Sequence, residues 1–175
     1  MNVSLLLTTI NEEIGMKAIL PMISRAWVDQ IIVSDYKSTD GTVAYAREQG
    51  IEVVHQQEPG LRRAFIEALP FIEGDIIICF SPDGNSLPEK IPELIDKMKN
   101  GYDMVIVSRY LNGAKSEDDG LITGFGNWCF TFIINLFFGG TYTDAMVMYR
   151  ACKKQMFYDL QLDQDRHYVT PEKLF

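Results

Sequence analysis

The sequence predicts an α/β fold, a mostly parallel central sheet with helices on both faces, on three observations. Short apolar runs alternate with helix-length segments from residue 3 onward, the pattern of right-handed βαβ units. Ile31–Val33 and Ile76–Phe80 are apolar throughout, as parallel strands buried on both faces are. The runs end in polar residues and turn formers, at the sheet edge where open α/β sheets bind ligands.

In chain order, Val3 to Leu7 reads as a first strand, followed by Thr8-Thr9-Ile10-Asn11-Glu12 and a helix with Ile14, Ala18, Ile19, Met22 and Ile23 on its apolar face. Gln30–Ser34 is a second strand with a polar end from Asp35 to Thr42. A helix then runs from Thr42 to Gln49, with Gly50 as its stop. Ile51–His55 is a third strand and Gly60–Phe71 a helix with Arg62 and Arg63 in its first turns. Ile76–Phe80 is the central strand. It must end at Ser81-Pro82-Asp83-Gly84, because Pro82 has no donor for the ladder, and Pro88 suits a helix start. A helix to Lys99, a strand at Met104–Val107 and a polar loop at 112–120 come next. The residues from Thr143 to Arg150 are expected to enter and form a last strand, with Lys153 and Lys154 on the solvent side of the helix after it.

Between Asp119 and Asp144 there is no charge. The segment Trp128–Phe138 would span roughly 16 Å as a helix, about half of a bilayer core. Asn127, Thr131 and Asn135 form one polar stripe on it, which fits a helix at a membrane interface or one packed under a neighbour. The 175 residues are expected to form one domain, 1–175, cut short of a closing element; a secretory leader is not apparent. A net charge of −8 without a basic run argues against nucleic-acid binding. Three cysteines without ligand spacing suit a reducing compartment and give no disulfide framework.

Ser81, Asp83 and Asn85 bring a hydroxyl, a carboxylate and a carboxamide to one turn. These hard oxygen donors suit Mg²⁺ or Mn²⁺, unless Asp83 and Asn85 only bond their own backbone. Asp40 reads as a turn or cap residue. His55 and His167 are lone histidines and read as structural or surface groups.

The order of these stretches resembles the inverting, family-2 nucleotide-sugar glycosyltransferases of GT-A fold, nearest the dolichol- or polyprenyl-phosphate mannosyl- and glucosyltransferases. Thr8-Thr9-Ile10-Asn11-Glu12 stands where that family has Pro-Thr-x-Asn-Glu. Asp35-Tyr36-Lys37-Ser38-Thr39-Asp40-Gly41-Thr42 stands for its Asp-Asp-Gly-Ser-x-Asp-Gly-Thr, and Ser81-Pro82-Asp83 for its Asp-x-Asp. Val107-Ser108-Arg109-Tyr110, and Asp144 with Tyr149-Arg150, match two later motifs.

The resemblance implies transfer of a hexose from a nucleoside diphosphate sugar to a polyprenyl-phosphate-like acceptor, at the cytoplasmic membrane face. It implies Asp83 as metal ligand and Asp35 as reader of the base or ribose. Thr8, Ile10, Glu12 and Pro82 would wall the donor pocket, and Arg62, Arg63 and Arg109 would meet phosphate. For the arginines, a solvated helix face and a salt bridge to Glu117–Asp119 are the competing readings. Asp144 is implied as a general base, or as an organiser where the nucleophile is already ionised. Ser81 and Tyr36-Lys37 depart from the pattern, which leaves a weak or inactive nucleotide-sugar-binding module as the alternative.

Overall fold

The computed structural model describes residues 1–111 and 120–162; the rest of the polar loop, His167 and the closing stretch from residue 163 lie outside the described residues. Strands β1 (Val3–Thr9), β2 (Gln30–Asp35), β3 (Glu52–His55), β4 (Ile76–Phe80), β5 (Met104–Ile106) and β6 (Arg150–Lys153) form one sheet in the order β3-β2-β1-β4-β6-β5. β1 pairs parallel with β2 and β4, and β2 with β3; β6 runs antiparallel to both β4 and β5. The strand order reverses between β1 and β4, so a crevice is expected beyond their carboxyl ends. The register pairs Leu7 with Phe80, which sets Thr8 and Ser81 one residue further, at that same edge.

Helices α1 (Glu13–Ile19), α2 (Thr42–Glu48) and α4 (Ile91–Lys99) cover one face. There Met16, Leu20, Ala46, Leu94 and Met98 pack on Leu5, Leu7, Val33, Ile78 and Phe80. α3 (Leu61–Ala68) and α6 (Gln155–Asp159) cover the other, with Phe65, Ala68, Met156 and Phe157 against Leu6, Ile32 and Ile77. The alternation of Leu5, Leu6 and Leu7 between the two clusters is the strand period of two.

Pro21 and Pro70 end regular helix early, because each lacks a donor and its ring crowds the preceding turn. Short 3₁₀ turns, Leu20–Met22 and Leu69–Phe71, finish α1 and α3. The expected face of the first helix is only partly right. Ile14 is 87% exposed, and Ala18 and Met22 also face solvent, while Met16, Leu20 and Ile23 point inward. The cause is Gly15, where a Cβ would lie 2.1 Å from the Pro82 carbonyl oxygen, so that side of α1 lies against the 81–83 turn.

The last strand also starts later than expected. Residues 143–148 lie outside any strand, the Tyr149 carbonyl accepts the Val107 N–H at 3.0 Å, and β6 begins at Arg150. Lys153 sits in β6, bonded to Asp103 at 2.6 Å, and the half-buried Lys154 reaches the Ile72 carbonyl, so neither lies on a helix's solvent face.

α5 (Leu121–Phe138) is a long helix whose polar stripe faces the protein. Asn135 makes a two-way pair with the Tyr142 backbone at 2.8 Å, Thr131 accepts from the Ala145 N–H at 3.1 Å, and Asn127 accepts from the Met146 N–H at 3.2 Å. Gly139, left-handed at φ 67°, caps the helix and turns the chain back for these contacts. Phe125, Trp128, Phe132, Ile133, Leu136 and Phe137 are left exposed. Among the described residues no helix is long and apolar enough to cross a membrane.

Candidate active site

Asp83 stands exposed on the turn after β4, its Oδ1 accepting the Asn85 N–H at 2.9 Å. That is the backbone-bonded turn weighed above, and it leaves Oδ2 outside the turn's own bonding. Ser81 is half-buried beside it, and Pro82 is buried with its carbonyl pressed on Gly15. This close approach brings Glu12 to the same turn: the carboxyl of Glu12 titrates above its ordinary value, through burial first and then the charges of Asp83 and Asp40. The negative charge of Asp83 beside the Glu12 carboxyl is a repulsion that a cation held between them would relieve. Among the described residues no cluster of three or more His, Cys, Asp or Glu has metal-holding geometry.

Beyond the end of β1 lies a cavity of about 240 Å³ walled by Thr8, Thr9, Ile10, Glu12, Gln56, Gly60, Leu61 and Ala64. Thr8, Ile10 and Glu12 are thus brought together as expected. Asp35 is not among the walls of this cavity. It is 1% exposed, and its carboxylate takes the Thr9 hydroxyl at 2.9 Å, the Ser38 hydroxyl at 2.5 Å and the Ser38 N–H at 3.1 Å. With both oxygens engaged it fixes the 35–38 turn, in which Lys37 adopts a left-handed φ of 52°. Asp40 caps as expected, accepting from Thr42 N–H at 2.9 Å and from Glu13 N–H at 3.1 Å. His55 is a surface group bonded to Arg47 at 2.9 Å.

The two arginines of α3 also fall outside this cavity. Arg63 pairs with Glu58 at 2.8 Å. Arg62 donates to the Leu162 carbonyl at 3.4 Å and lines a separate, largely apolar cleft with Phe65, Met156 and Phe157. Geometry at the α3 start explains this: Gly60, at φ 112°, turns the chain so that Leu61 and Ala64 meet the cavity, and Arg62 projects to the other side.

Arg109 emerges past β5, as expected, and is gripped by Asp144. The Asp144 carboxylate, in a residue 1% exposed, accepts from Arg109 Nε at 2.8 Å, Nη2 at 3.0 Å and N–H at 3.1 Å, and from Asn127 Nδ2 at 2.9 Å. Burial pushes this carboxyl up, but the Arg109 bonds and charge, with Asn127, hold it below the ordinary carboxylate range. A carboxylate so engaged is a poor proton acceptor, so the geometry favours its organising role over that of general base. Next to it a groove of about 420 Å³ runs along the α5 stripe, lined by Tyr110, Trp128, Thr131, Phe132, Asn135 and Tyr142, among others.

Sequence reasoning missed Gln56, Thr9 and Asn127. Thr9 is the last residue of β1 and Gln56 follows β3 directly, positions that mark the sheet edge. Asn127 was read as one member of a stripe, and nothing local to it points 17 residues ahead to Asp144.

Comparison with known proteins places these features in a family. Residues 4–161 match the family described as Glycosyl transferase family 2. A dolichol-phosphate mannosyltransferase of Pyrococcus furiosus is 33% identical over 126 residues, which is 67% of this chain and 36% of that protein. A dolichyl-phosphate hexose transferase of Haloferax volcanii is 24% identical over 161 residues, 91% of this chain and 70% of the relative. The glucosyl-3-phosphoglycerate synthase of Mycobacterium tuberculosis, solved with Mn²⁺, UDP and phosphoglyceric acid, superposes with a TM-score of 0.71 at 22% identity, over 89% of this chain and 57% of its own. The chain therefore spans little more than a third of the archaeal mannosyltransferase, and the shared architecture is the GT-A fold. With a family match across nearly all its described residues, the chain belongs to Glycosyl transferase family 2.

Proposed function

We propose that the chain transfers a hexose, with inversion, from a nucleoside diphosphate sugar to a polyprenyl-phosphate-like acceptor at the cytoplasmic membrane face, assisted by Mg²⁺ or Mn²⁺. The observation that carries the reading is the acid pair at the strand-order reversal: Asp83 and Glu12 in mutual repulsion beside a cavity of nucleoside dimensions. The donor set fits a hard divalent cation, with the Asp83 carboxylate, the Ser81 hydroxyl, the Asn85 carboxamide and, from the facing side, Glu12. A cation held there supplies Lewis-acid charge to the leaving diphosphate, where opposite charges at contact are worth roughly 4 kcal/mol at an effective dielectric near 20.

The chain's own groups do the rest. Thr8, Ile10 and Glu12 hold the nucleoside end, and Asp35 keeps their turn rigid. Arg109, oriented by Asp144, brings positive charge to a phosphate of donor or acceptor. A lipid phosphate is already ionised, so an Asp144 saturated with donors suffices. The names of the archaeal relatives support the acceptor class, and the Mn²⁺ and UDP bound to the mycobacterial neighbour support the donor class and the cation. The exposed apolar side of α5 supports contact with the bilayer surface.

Incubation with Mn²⁺, nucleotide sugars and polyprenyl phosphate is expected to release nucleoside diphosphate. Asp83→Ala should lower that rate by about 100-fold or more with little change in the unfolding midpoint, since the side chain is exposed and its Oδ1 bonds within its own turn. Full activity in the variant would remove Asp83 from the site. A second reading, a nucleotide-sugar-binding module without turnover, is favoured by Ser81 in place of a carboxylate. Donor binding with no diphosphate release under any acceptor would establish it.

A further inference from the structure

We propose that Asn127 is a positioning residue for the transfer. Its carboxamide ties the Asp144 carboxylate to α5 and so sets the direction in which Arg109 presents charge to a phosphate. The inference rests on the transfer reading above and names what aims the cation within it.

Asn127 is 2% exposed, and both ends of its amide are assigned by what they meet. Nδ2 donates to Asp144 Oδ1 at 2.9 Å, while Oδ1 accepts from the Met146 N–H at 3.2 Å and the Thr131 hydroxyl at 3.4 Å. A carboxylate on one side and a backbone N–H on the other demand a donor and an acceptor from one short side chain. Asparagine supplies both, leucine neither, and an ionised aspartate only acceptors.

Among the described residues, every other hydrogen bond to the Asp144 carboxylate comes from Arg109 itself: Nε at 2.8 Å, Nη2 at 3.0 Å and the backbone N–H at 3.1 Å. Such a grip fixes guanidinium and carboxylate relative to each other, not relative to the helix beside them. Asn127 is the donor from a separate element, and it shares Oδ1 with Arg109 Nη2. Thr131 and Asn135 are the natural comparison. They bond the same returning segment at backbone atoms of Ala145 and Tyr142, which seats α5 without touching the carboxylate. Arg109 faces the Asn127–Asp144 pair from the segment after β5; α5 carries no charged residue, and Tyr110 and Tyr142 stand in the adjoining groove.

Asn127→Asp and Asn127→Leu separate aiming from support. In the aspartate variant two carboxyls meet in a buried place, where like charge and burial hold one proton between them. With that proton on the new carboxyl, its hydroxyl donates to Asp144 and its other oxygen accepts from the Met146 N–H, as the amide does. Transfer to farnesyl phosphate, with Mn²⁺ and UDP-glucose or GDP-mannose, should therefore be down by about tenfold or more at pH 8 and within about threefold of the wild type at pH 6. Asn127→Leu should be down by about tenfold at both pH values. In an Arg109→Ala background either change should alter the rate by less than about twofold, because the effect runs through Arg109. An aspartate variant with the same relative rate at both pH values, or losses that add to that of Arg109→Ala, would overturn the proposal. ¹⁵N NMR of the Arg109 Nε–H judges the aiming without turnover: a sharp signal in the wild type, broadened in Asn127→Asp at pH 8 and sharp again at pH 6. A signal indifferent to residue 127 would also overturn the proposal. A signal that follows the carboxamide in a protein that transfers to no acceptor would support it and overturn the transfer reading instead.

Discussion

The two halves of the candidate site are built on opposite polarity rules. Around β1–β4 the rule is the ordinary one: apolar strands inside, polar residues at the sheet edge, and the buried Asp35 carboxylate met by several donors. Along α5 it is reversed, with Asn127, Thr131 and Asn135 turned inward and a run of aromatic and aliphatic side chains turned out. Hydrophobic burial seats the first half. The second is seated by hydrogen bonds to a single returning segment, residues 142–146, so its stability should depend on few atoms.

The largest expected effect follows from that dependence. Asp144→Ala leaves the Arg109 guanidinium and the Asn127 amide without their common acceptor and should cost about 3–5 kcal/mol in chemical denaturation. Asp144→Asn keeps the shape and tests the charge through pH. The carboxyl is held below its ordinary value in the folded chain, so its stabilisation is present above the unfolded value of about 3.9 and fades as pH falls through the folded value. The wild type's advantage over Asp144→Asn should be constant from pH 7 to 5 and shrink below about pH 4. An advantage independent of pH would show that packing, not charge, seats α5.

The ordinary half should break on shape instead. Gly15→Ala puts a methyl 2.1 Å from the Pro82 carbonyl oxygen, a backbone atom with no rotamer to yield. Alanine's helix preference of about 1 kcal/mol is outweighed by overpacking of about 1–3 kcal/mol. The variant should lose stability and, by displacing the 81–83 turn, metal-dependent activity as well. A stabilised variant would mean that α1 does not bear on that turn. Lys37→Gly sits lower still and has the opposite sign. At φ 52° lysine occupies a region that glycine enters without strain, so the variant should gain about 1 kcal/mol, less the entropy glycine adds to the unfolded chain.

These differences also decide what the sequence made legible. Ile76–Phe80 and Ile31–Val33 announce themselves because burial on both faces leaves no polar position, and Pro82 fixes where the central strand stops. The facing of α1 was not legible, since it turns on one glycine meeting a carbonyl 67 residues away. Nor was the Arg109–Asp144 grip, which joins positions 35 apart, nor the engagement of Asp35, which depends on Ser38 folding back. The polar stripe on α5 was readable, but periodicity names a face without saying which way it points.

The smallest expected effect on stability is the one that separates the two halves most cleanly. Trp128 is 61% exposed, stacked between Phe125 at 6.0 Å and Phe132 at 5.8 Å on the outer side of its own helix. Because those neighbours are equally exposed, Trp128→Ser removes little buried area and should change stability by no more than about 0.5 kcal/mol. A loss above about 1 kcal/mol would mean that the outer side of α5 is packed after all. The same substitution should reduce co-sedimentation with phosphatidylcholine vesicles carrying polyprenyl phosphate, since aromatic rings at the headgroup level supply interfacial affinity. Charge cannot be the source of that affinity, because a chain of net charge −8 is repelled by an anionic surface. Wild-type binding should accordingly survive or strengthen as salt screens the repulsion. Binding that collapses with salt would trace to local basic groups, and a wild type that stays in the supernatant would remove the bilayer from the proposal and leave the reversed polarity of α5 to another partner.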